Sequence, residues 1–160
     1  MRLAVVLFNL GGPSEEAAIA PFLFNFFMDK NIIAAPKPLR YLIARWISWS
    51  RSRGAAKEAY HLLGGKSPLL ENTRAQAQAL ESVLKITYPE ARVFVSMRYW
   101  HPLAAETAAA VLAFQPDKIV LLPLYPQYST TTTKSSFESW HNATAKRETA
   151  SCCYPTNAGF

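Results

Sequence analysis

The residues most able to do chemistry are spread thinly along this chain. Its three histidines, His61, His101 and His141, lie far apart, and no Cys, His or carboxylate cluster has the spacing of metal ligands. The only aspartates are Asp29 and Asp117, so a Ser-His-Asp arrangement is equally poorly supported. Taken alone, these residues predict a binding domain with no zinc site and no visible catalytic group.

Positive charge is concentrated in one segment. The 160 residues carry 17 Lys and Arg against 11 Asp and Glu, yet seven of the basic residues lie from Lys30 to Lys57 with no acid among them. Such an excess predicts an anionic partner, which could be a phosphate backbone, a lipid headgroup surface or a carboxylated small molecule. Tyr41, Trp46 and Trp49 interleave with these residues, a pattern that can also stack nucleobases and neutralise phosphates.

An apolar segment precedes the basic one. The segment 21–28 holds four phenylalanines, one leucine and one methionine. At helical spacing, some of these side chains must point away from the domain's own core. Either a second element covers them, or they form a lip that meets a flat apolar ligand or a membrane interface. No stretch of the sequence reaches the ~18 uninterrupted apolar residues of a membrane-spanning helix.

Two glycine turns suggest phosphate binding at first sight. The segment 9–13 (NLGGP) could bring backbone amides close to an anion, but it matches neither the dinucleotide nor the Walker spacing, so a plain strand-to-helix turn is favoured. The segment 64–69 (GGKSPL) lacks the first glycine of a phosphate loop. It predicts instead a helix that ends at glycine and a second helix that begins at Ser67, with Pro68 at its first position.

The elements that must position these residues follow from periodicity. Four short apolar runs, 3–10, 92–97, 118–122 and 150–153, predict strands buried on both faces. Helices are predicted over 68–88, 103–114 and 135–147, and Ser14 is a candidate N-cap before Glu15 and Glu16. We therefore predict an α/β fold, a doubly wound four-stranded parallel sheet with helices on both faces, as one domain over residues 1–160. In such sheets, ligands bind at the carboxyl ends of the strands.

The cysteines and the N-terminus indicate the compartment. Cys152 and Cys153 are neighbours, which excludes a secreted disulfide framework. The apolar N-terminal run carries Asn9 and no small-x-small cleavage site, so it is interpreted as a strand rather than a signal peptide. We expect a soluble, cytoplasmic protein, and peripheral contact with a membrane stays open.

Four segments resemble, in this order and at these separations, the N-terminal half of ferrochelatase. They are 7–13 (LFNLGGP), 64–69 (GGKSPL), 97–102 (MRYWHP) and 124–129 (LYPQYS). The resemblance runs along the whole chain and implies a chelatase-like lobe. It also implies an enzyme of haem biosynthesis that inserts ferrous iron into a dicarboxylate porphyrin, with the active-site cleft between two similar lobes.

The resemblance also implies site residues. The implied porphyrin contacts are Leu10, Arg51, Tyr60, Ser67, Arg98 and Tyr99. The implied pocket lip runs over 22–33 and includes Phe22, Phe26 and Phe27. Ser52 stands where some relatives have a second arginine, with Arg53 beside it as a candidate substitute, and Lys134 stands where glycine is frequent.

The same resemblance places the catalytic groups outside this chain. The family's metal-handling histidine lies in a Ser-x-His-[Gly/Ser]-Leu-Pro motif that none of the three histidines matches. Metallation removes two protons from pyrrole nitrogens and needs a positioned base, so no catalytic residue is expected here. No cofactor or metal site is expected either, because ferrous iron is the substrate of the whole enzyme. Some relatives hold an iron-sulfur cluster, but Cys152 and Cys153 do not fall on its ligand positions.

We therefore predict the N-terminal lobe of a ferrochelatase, truncated at its C-terminal side and inactive without the missing C-terminal lobe. A last strand with no helix after it predicts exposed apolar surface and self-association. The alternative is an anionic-membrane or nucleic-acid binding module that has lost the catalytic half. A nucleic-acid partner is not expected, because polymer binding usually needs a basic surface broader than one segment.

Overall fold

Two compact units make up the chain. The computed structural model describes residues 1–145 and 152–153. The sheet unit holds Met1–Asn9, Glu71–Arg98 and the described residues from Pro102 onward, and the helical unit holds Leu10–Leu70 and Tyr99–His101. The single domain expected over residues 1–160 stays a prediction, and each unit is described by itself below.

Helices separate the strands along the described residues, with four between the first strand and the second. The strands are β1 (Leu3–Asn9), β2 (Arg92–Met97) and β3 (Lys118–Pro123). The helices are α1 (Ile19–Phe27), α2 (Lys37–Arg53), α3 (Ala55–Leu62), α4 (Leu69–Thr87), α5 (Ala104–Phe114) and α6 (Ser135–Thr144). The predicted strands at 3–10, 92–97 and 118–122 and the predicted helices at 68–88 and 103–114 are confirmed. The helix predicted over 135–147 is confirmed from Ser135 to Thr144.

The sheet is parallel, with β1 in the centre and the order β2-β1-β3. Cys152–Cys153 pairs in parallel with β3. The rest of the strand predicted over 150–153 lies outside the described residues, so the count of four full strands stays a prediction. The α/β class and the parallel sheet are confirmed.

Helices cover both faces of this sheet. Alternate residues of β1 point to opposite sides, so β1 contributes to a core on each face. Val6 and Phe8 belong to a core packed with α5 and α6, and Val5 and Leu7 to a core packed with α4. Phe8 is 1% exposed and meets Trp140, itself 0% exposed, edge to face at 5.8 Å between ring centroids. Continuous burial along β1 explains why its sequence is apolar throughout rather than alternating.

The helical unit is organised around α1 packed on α2. The ring of Phe24 on α1 meets the ring of Tyr41 on α2 at 5.4 Å. Ala44 and Ser48 lie on the buried side of α2, whereas Trp46 and Trp49 are exposed by 68% and 55%. α2 is therefore buried on one side and presents aromatic residues on the other.

The joint between α3 and α4 follows the prediction made from the 64–69 segment. The amide of Gly65 donates to the carbonyl of Tyr60 at 2.8 Å and that of Gly64 to His61 at 3.1 Å, with φ of 82° and 81°. This left-handed ending is one that glycine adopts at little cost. The hydroxyl of Ser67 then accepts from the amide of Leu69 at 3.3 Å, so Ser67 caps α4.

The predicted N-cap at Ser14 is wrong. A short 3-10 turn, Glu16–Ala18, precedes α1, and the residue before it, Glu15, makes no side-chain capping bond. The hydroxyl of Ser14 instead accepts from the indole nitrogen of Trp100 at 3.2 Å. The Ser14 hydroxyl therefore bonds to a residue far away in the sequence instead of to an amide at the start of a helix.

Candidate functional site

Most of the predicted site residues lie in one unit. Arg98 belongs to the sheet unit. The others belong to the helical unit: Leu10, Phe22, Phe26, Phe27, Arg51, Tyr60, Ser67 and Tyr99.

Five of these residues form a continuous chain of contacts. The amide of Tyr99 donates to the carbonyl of Leu10 at 3.0 Å, and the Tyr99 ring meets Phe26 edge to face at 5.0 Å between centroids. Phe26 meets Phe27 at 5.2 Å, and the guanidinium of Arg51 lies 5.6 Å from the centre of the Phe27 ring. We call Leu10, Phe26, Phe27 and Arg51, together with the buried Tyr99 that supports them, the lip surface.

The members of the lip surface differ in exposure. Leu10, Phe26 and Phe27 are half-buried and Arg51 is exposed. Tyr99, which the resemblance implies as a porphyrin contact, is instead fully buried, and its ring packs beneath Phe26. A guanidinium stacked on a ring keeps its N–H groups free at its edge to bind a carboxylate.

Phe22 does not belong to the exposed lip. It is buried on the same face of α1 as Ile19, three residues earlier, because α1 turns that face into the core of the helical unit. The exposed lip predicted from Phe22, Phe26 and Phe27 therefore consists of Phe26 and Phe27 on this helix. A contact between Phe22 and a ligand would require this core to open.

Tyr60 and Ser67 lie on either side of the Gly64 and Gly65 turn. Burial raises the pKa of the Tyr60 phenol above its usual value. Ser67 packs against the first glycine turn, where a Cβ on Gly12 would lie 2.4 Å from the Ser67 hydroxyl oxygen. Gly12 is thus required for a close approach to Ser67, which accounts for this glycine without an anion.

A cavity of about 560 Å³ lies between α1 and α2. Its walls include the aromatic rings of Phe24, Tyr41 and Trp49 and the side chains of Arg45 and Arg53. The guanidinium of Arg53 lies 4.4 Å from the centre of a Trp49 ring. Aromatic walls with two cations suit a flat anionic ligand of moderate size.

A second cavity of about 580 Å³ shares Ser52 and Arg53 with the first. Lys57 on its wall pairs with Glu16 at 2.6 Å, and the hydrogen bond and charge of Lys57 lower the pKa of Glu16. Ser52 stands where some relatives have a second arginine. It lines both cavities together with its neighbour Arg53.

Polar side chains in the sheet unit gather at the carboxyl ends of the strands. The guanidinium of Arg98, after β2, donates to the Ser135 hydroxyl at 2.6 Å, and the Tyr125 hydroxyl, after β3, lies 2.8 Å from that of Ser136. Burial raises the pKa of Tyr125, although the Ser136 bond and the charge of Arg98 oppose it. Sequence reasoning assigned no role to Tyr125, Ser135 or Ser136. The position of Tyr125 directly after a buried strand was the available signal.

Metal-ligand clusters and membrane-spanning helices are both absent from residues 1–145 and 152–153. Within these ranges, no three His, Cys, Asp or Glu residues come together as a group that could hold a metal ion. None of the helices described is both long enough and apolar enough to cross a membrane.

Comparison with known proteins identifies relatives of the whole chain. A family model described as Ferrochelatase matches residues 2–160. The ferrochelatase of Phenylobacterium zucineum strain HLK1 is 56% identical over 165 residues, which cover 100% of this chain and 48% of the relative. The ferrochelatases of Caulobacter vibrioides strain NA1000 and Wolbachia sp. subsp. Drosophila simulans strain wRi are 53% and 52% identical. They cover 99% and 95% of this chain, and 47% and 48% of their own lengths are matched. The chain spans about half the length of the curated relatives it matches.

Proposed function

Because the chain belongs to the ferrochelatase family, we propose that it is the N-terminal lobe of an enzyme that inserts ferrous iron into a dicarboxylate porphyrin. The observation that carries this proposal is the lip surface, where aromatic rings end at the guanidinium of Arg51. A porphyrin is a flat aromatic ring with carboxylates at its edge. Rings beside a fixed cation therefore match both parts of its chemistry.

Different residues are proposed to contact different parts of the porphyrin. Leu10, Phe26 and Phe27 contact the macrocycle, and Arg51 binds one carboxylate at its edge. Arg53, stacked on Trp49 in the cavity between α1 and α2, is proposed for the second carboxylate because some relatives place an arginine at the position of Ser52, its neighbour. Arg98, Tyr60 and Ser67 are proposed contacts on the strength of the family resemblance alone.

Binding can be tested by titrating the chain with a dicarboxylate porphyrin and following the Soret absorbance. Arg51→Ala should weaken binding about tenfold, the effect of losing one hydrogen bond between charged groups. Arg74→Ala, which removes an exposed arginine from α4, is the matched control and should bind like the unsubstituted chain. Equal affinities for Arg51→Ala and the unsubstituted chain would contradict the assigned role of Arg51.

We further propose that the 160-residue chain does not catalyse metal insertion alone. Metallation must remove two pyrrole protons, which calls for a base positioned over the ring, and we expect the part of the relatives that this chain does not match to supply it. Mixing the chain with porphyrin and ferrous or zinc ion should give no metalloporphyrin above the uncatalysed rate. Turnover comparable to that of a full-length relative would refute this.

A second proposal, membrane contact, rests on the outer side of α2. Leu42, Trp46 and Trp49 are exposed there, and Arg45 lies beside them. Tryptophan with arginine favours the headgroup region of an anionic bilayer. Sedimentation should show more chain bound to anionic than to neutral vesicles, and less of a Trp46→Ser, Trp49→Ser variant bound. Steeply salt-dependent binding to single-stranded DNA with no vesicle binding would favour the nucleic-acid alternative instead.

The same exposed side chains support the expected self-association of the chain, which sedimentation velocity over a concentration series would detect as a rising average mass. A cytoplasmic location stays a prediction.

A further inference from the structure

Asp29 is a buried acidic residue to which neither the sequence patterns nor the family resemblance assigned a role. It stands two residues after the end of α1, at the start of the turn that leaves the lip, and is only 5% exposed. Aspartates are rarely buried unless they are paired or hydrogen-bonded, because a carboxylate loses its hydration on burial. A carboxylate buried at this point therefore needs partners that justify its position.

The partners of Asp29 fix the turn after α1. Its Oδ2 accepts from the hydroxyl of Tyr99 at 2.9 Å, and its Oδ1 accepts from the amide of Asn31 at 2.8 Å. Its main-chain oxygen accepts from the amides of Ile32 and Ile33 at 3.1 and 3.0 Å. One residue thus holds both ends of a short turn and joins it to a tyrosine 70 positions away.

Tyr99 connects the same turn to the rest of the lip surface. Its main-chain amide donates to the carbonyl of Leu10 at 3.0 Å, and its carbonyl accepts from the side chain of Asn25 at 3.1 Å. Its ring packs against Phe26. Tyr99 is therefore the point at which the first loop, α1 and the turn at Asp29 meet.

We propose that Asp29 and Tyr99 form a positioning pair that holds the lip surface in its binding arrangement. This inference rests on the proposed porphyrin-binding function. Both side chains are buried and act through Phe26 and through the turn at 29–33, without touching the substrate. A lip already ordered before binding loses less conformational entropy when the ligand arrives, which increases affinity.

The first test is a double-mutant cycle on porphyrin affinity, measured by Soret absorbance. Tyr99→Phe keeps the buried ring and removes the hydroxyl, and Asp29→Asn removes the charge. Each single variant should bind the porphyrin about tenfold more weakly than the unsubstituted chain. The double variant should lose no more affinity than the more affected single variant, because both substitutions break the same interaction. Tyr88→Phe and Asp117→Asn are the matched controls and should bind like the unsubstituted chain. Losses that simply multiply in the double variant would overturn the pairing.

The second test does not depend on porphyrin. Hydrogen exchange should be faster at the amides of residues 31–33 in Tyr99→Phe than in Tyr88→Phe, with the strands of the sheet unit unchanged. Unaltered exchange at 31–33, or a uniform increase along the whole chain, would overturn the positioning role. If the unsubstituted chain binds no porphyrin, the proposed function fails, and this exchange measurement alone then decides whether Asp29 and Tyr99 order the lip.

Discussion

The sheet unit and the helical unit differ in how far they bury their large aromatic side chains. In the sheet unit, Phe8 and Trp140 are fully buried and packed against each other. In the helical unit, Trp46 and Trp49 are mostly exposed, and guanidinium groups stack on Trp49 and Phe27. The same residue types therefore lie in the core of one unit and at the surface of the other. Their burial, rather than their abundance, separates the two units.

The largest expected effect is on the free energy of unfolding, and it tests this difference in burial directly. Phe8→Ala should lower the free energy of unfolding by about 3–5 kcal/mol, since it leaves a cavity in the centre of the sheet core. Trp46→Ala removes a larger side chain from an exposed position and should change stability by less than about 0.5 kcal/mol. Urea denaturation followed by far-ultraviolet circular dichroism measures both. A Trp46→Ala loss as large as that of Phe8→Ala would break the comparison.

An intermediate effect is expected inside the helical unit, at Gly12. A Cβ there would lie 2.4 Å from the hydroxyl oxygen and 2.5 Å from the Cβ of Ser67, so Gly12→Ala should cost about 1–3 kcal/mol by overpacking. Adding Ser67→Gly should recover part of this loss, because the clashing atoms are then gone. Urea midpoints of the single and double variants test it. A tolerated Gly12→Ala would mean that the first turn can move away from Ser67.

The smallest expected effect is a loss of stability at high pH, to which a tyrosine in each unit contributes. Burial raises the pKa of Tyr60 in the helical unit and of Tyr125 in the sheet unit. In the unfolded chain these phenols ionise near pH 10. The unfolded state therefore loses protons first, and stability falls as the pH rises from about 10 through the folded pKa values. Phenolate absorbance should show both tyrosines ionising above pH 10, and each of Tyr60→Phe and Tyr125→Phe should remove one late-titrating phenol. Ionisation of both near pH 10 would contradict the burial.

Local patterns predicted the strands and the helices α4, α5 and α6, but not α2. Continuous apolar runs identified β1, β2 and β3; β1 is buried from Leu3 to Phe8, whereas β2 and β3 are partly exposed. Glycine and proline identified the joint between α3 and α4, where left-handed φ angles and a capping serine are local requirements. These features depend on neighbours in the sequence, so the sequence alone is sufficient to find them.

Contacts between distant residues could not be predicted in this way. Arg98 and Tyr99 are adjacent and are both implied porphyrin contacts, yet Arg98 binds Ser135, 37 positions away, and Tyr99 binds Asp29, 70 positions away. The choice of partner depends on which elements the fold brings together, and periodicity carries no information about that. The same reason explains the Ser14 cap that failed and the Tyr125 and Ser136 contact that was missed.

Three tryptophans differ strongly in burial and can serve as intrinsic fluorescent probes. The indole of Trp140 is fully buried in the sheet unit, and its nitrogen has no hydrogen-bond partner among the described residues, so its emission should be blue-shifted. Trp46 and Trp49 face solvent and should emit at longer wavelength. A porphyrin absorbs in this spectral range and would accept energy from the indoles nearest to it. One emission spectrum can therefore report unfolding of the sheet at its blue edge and arrival of a ligand at its red edge.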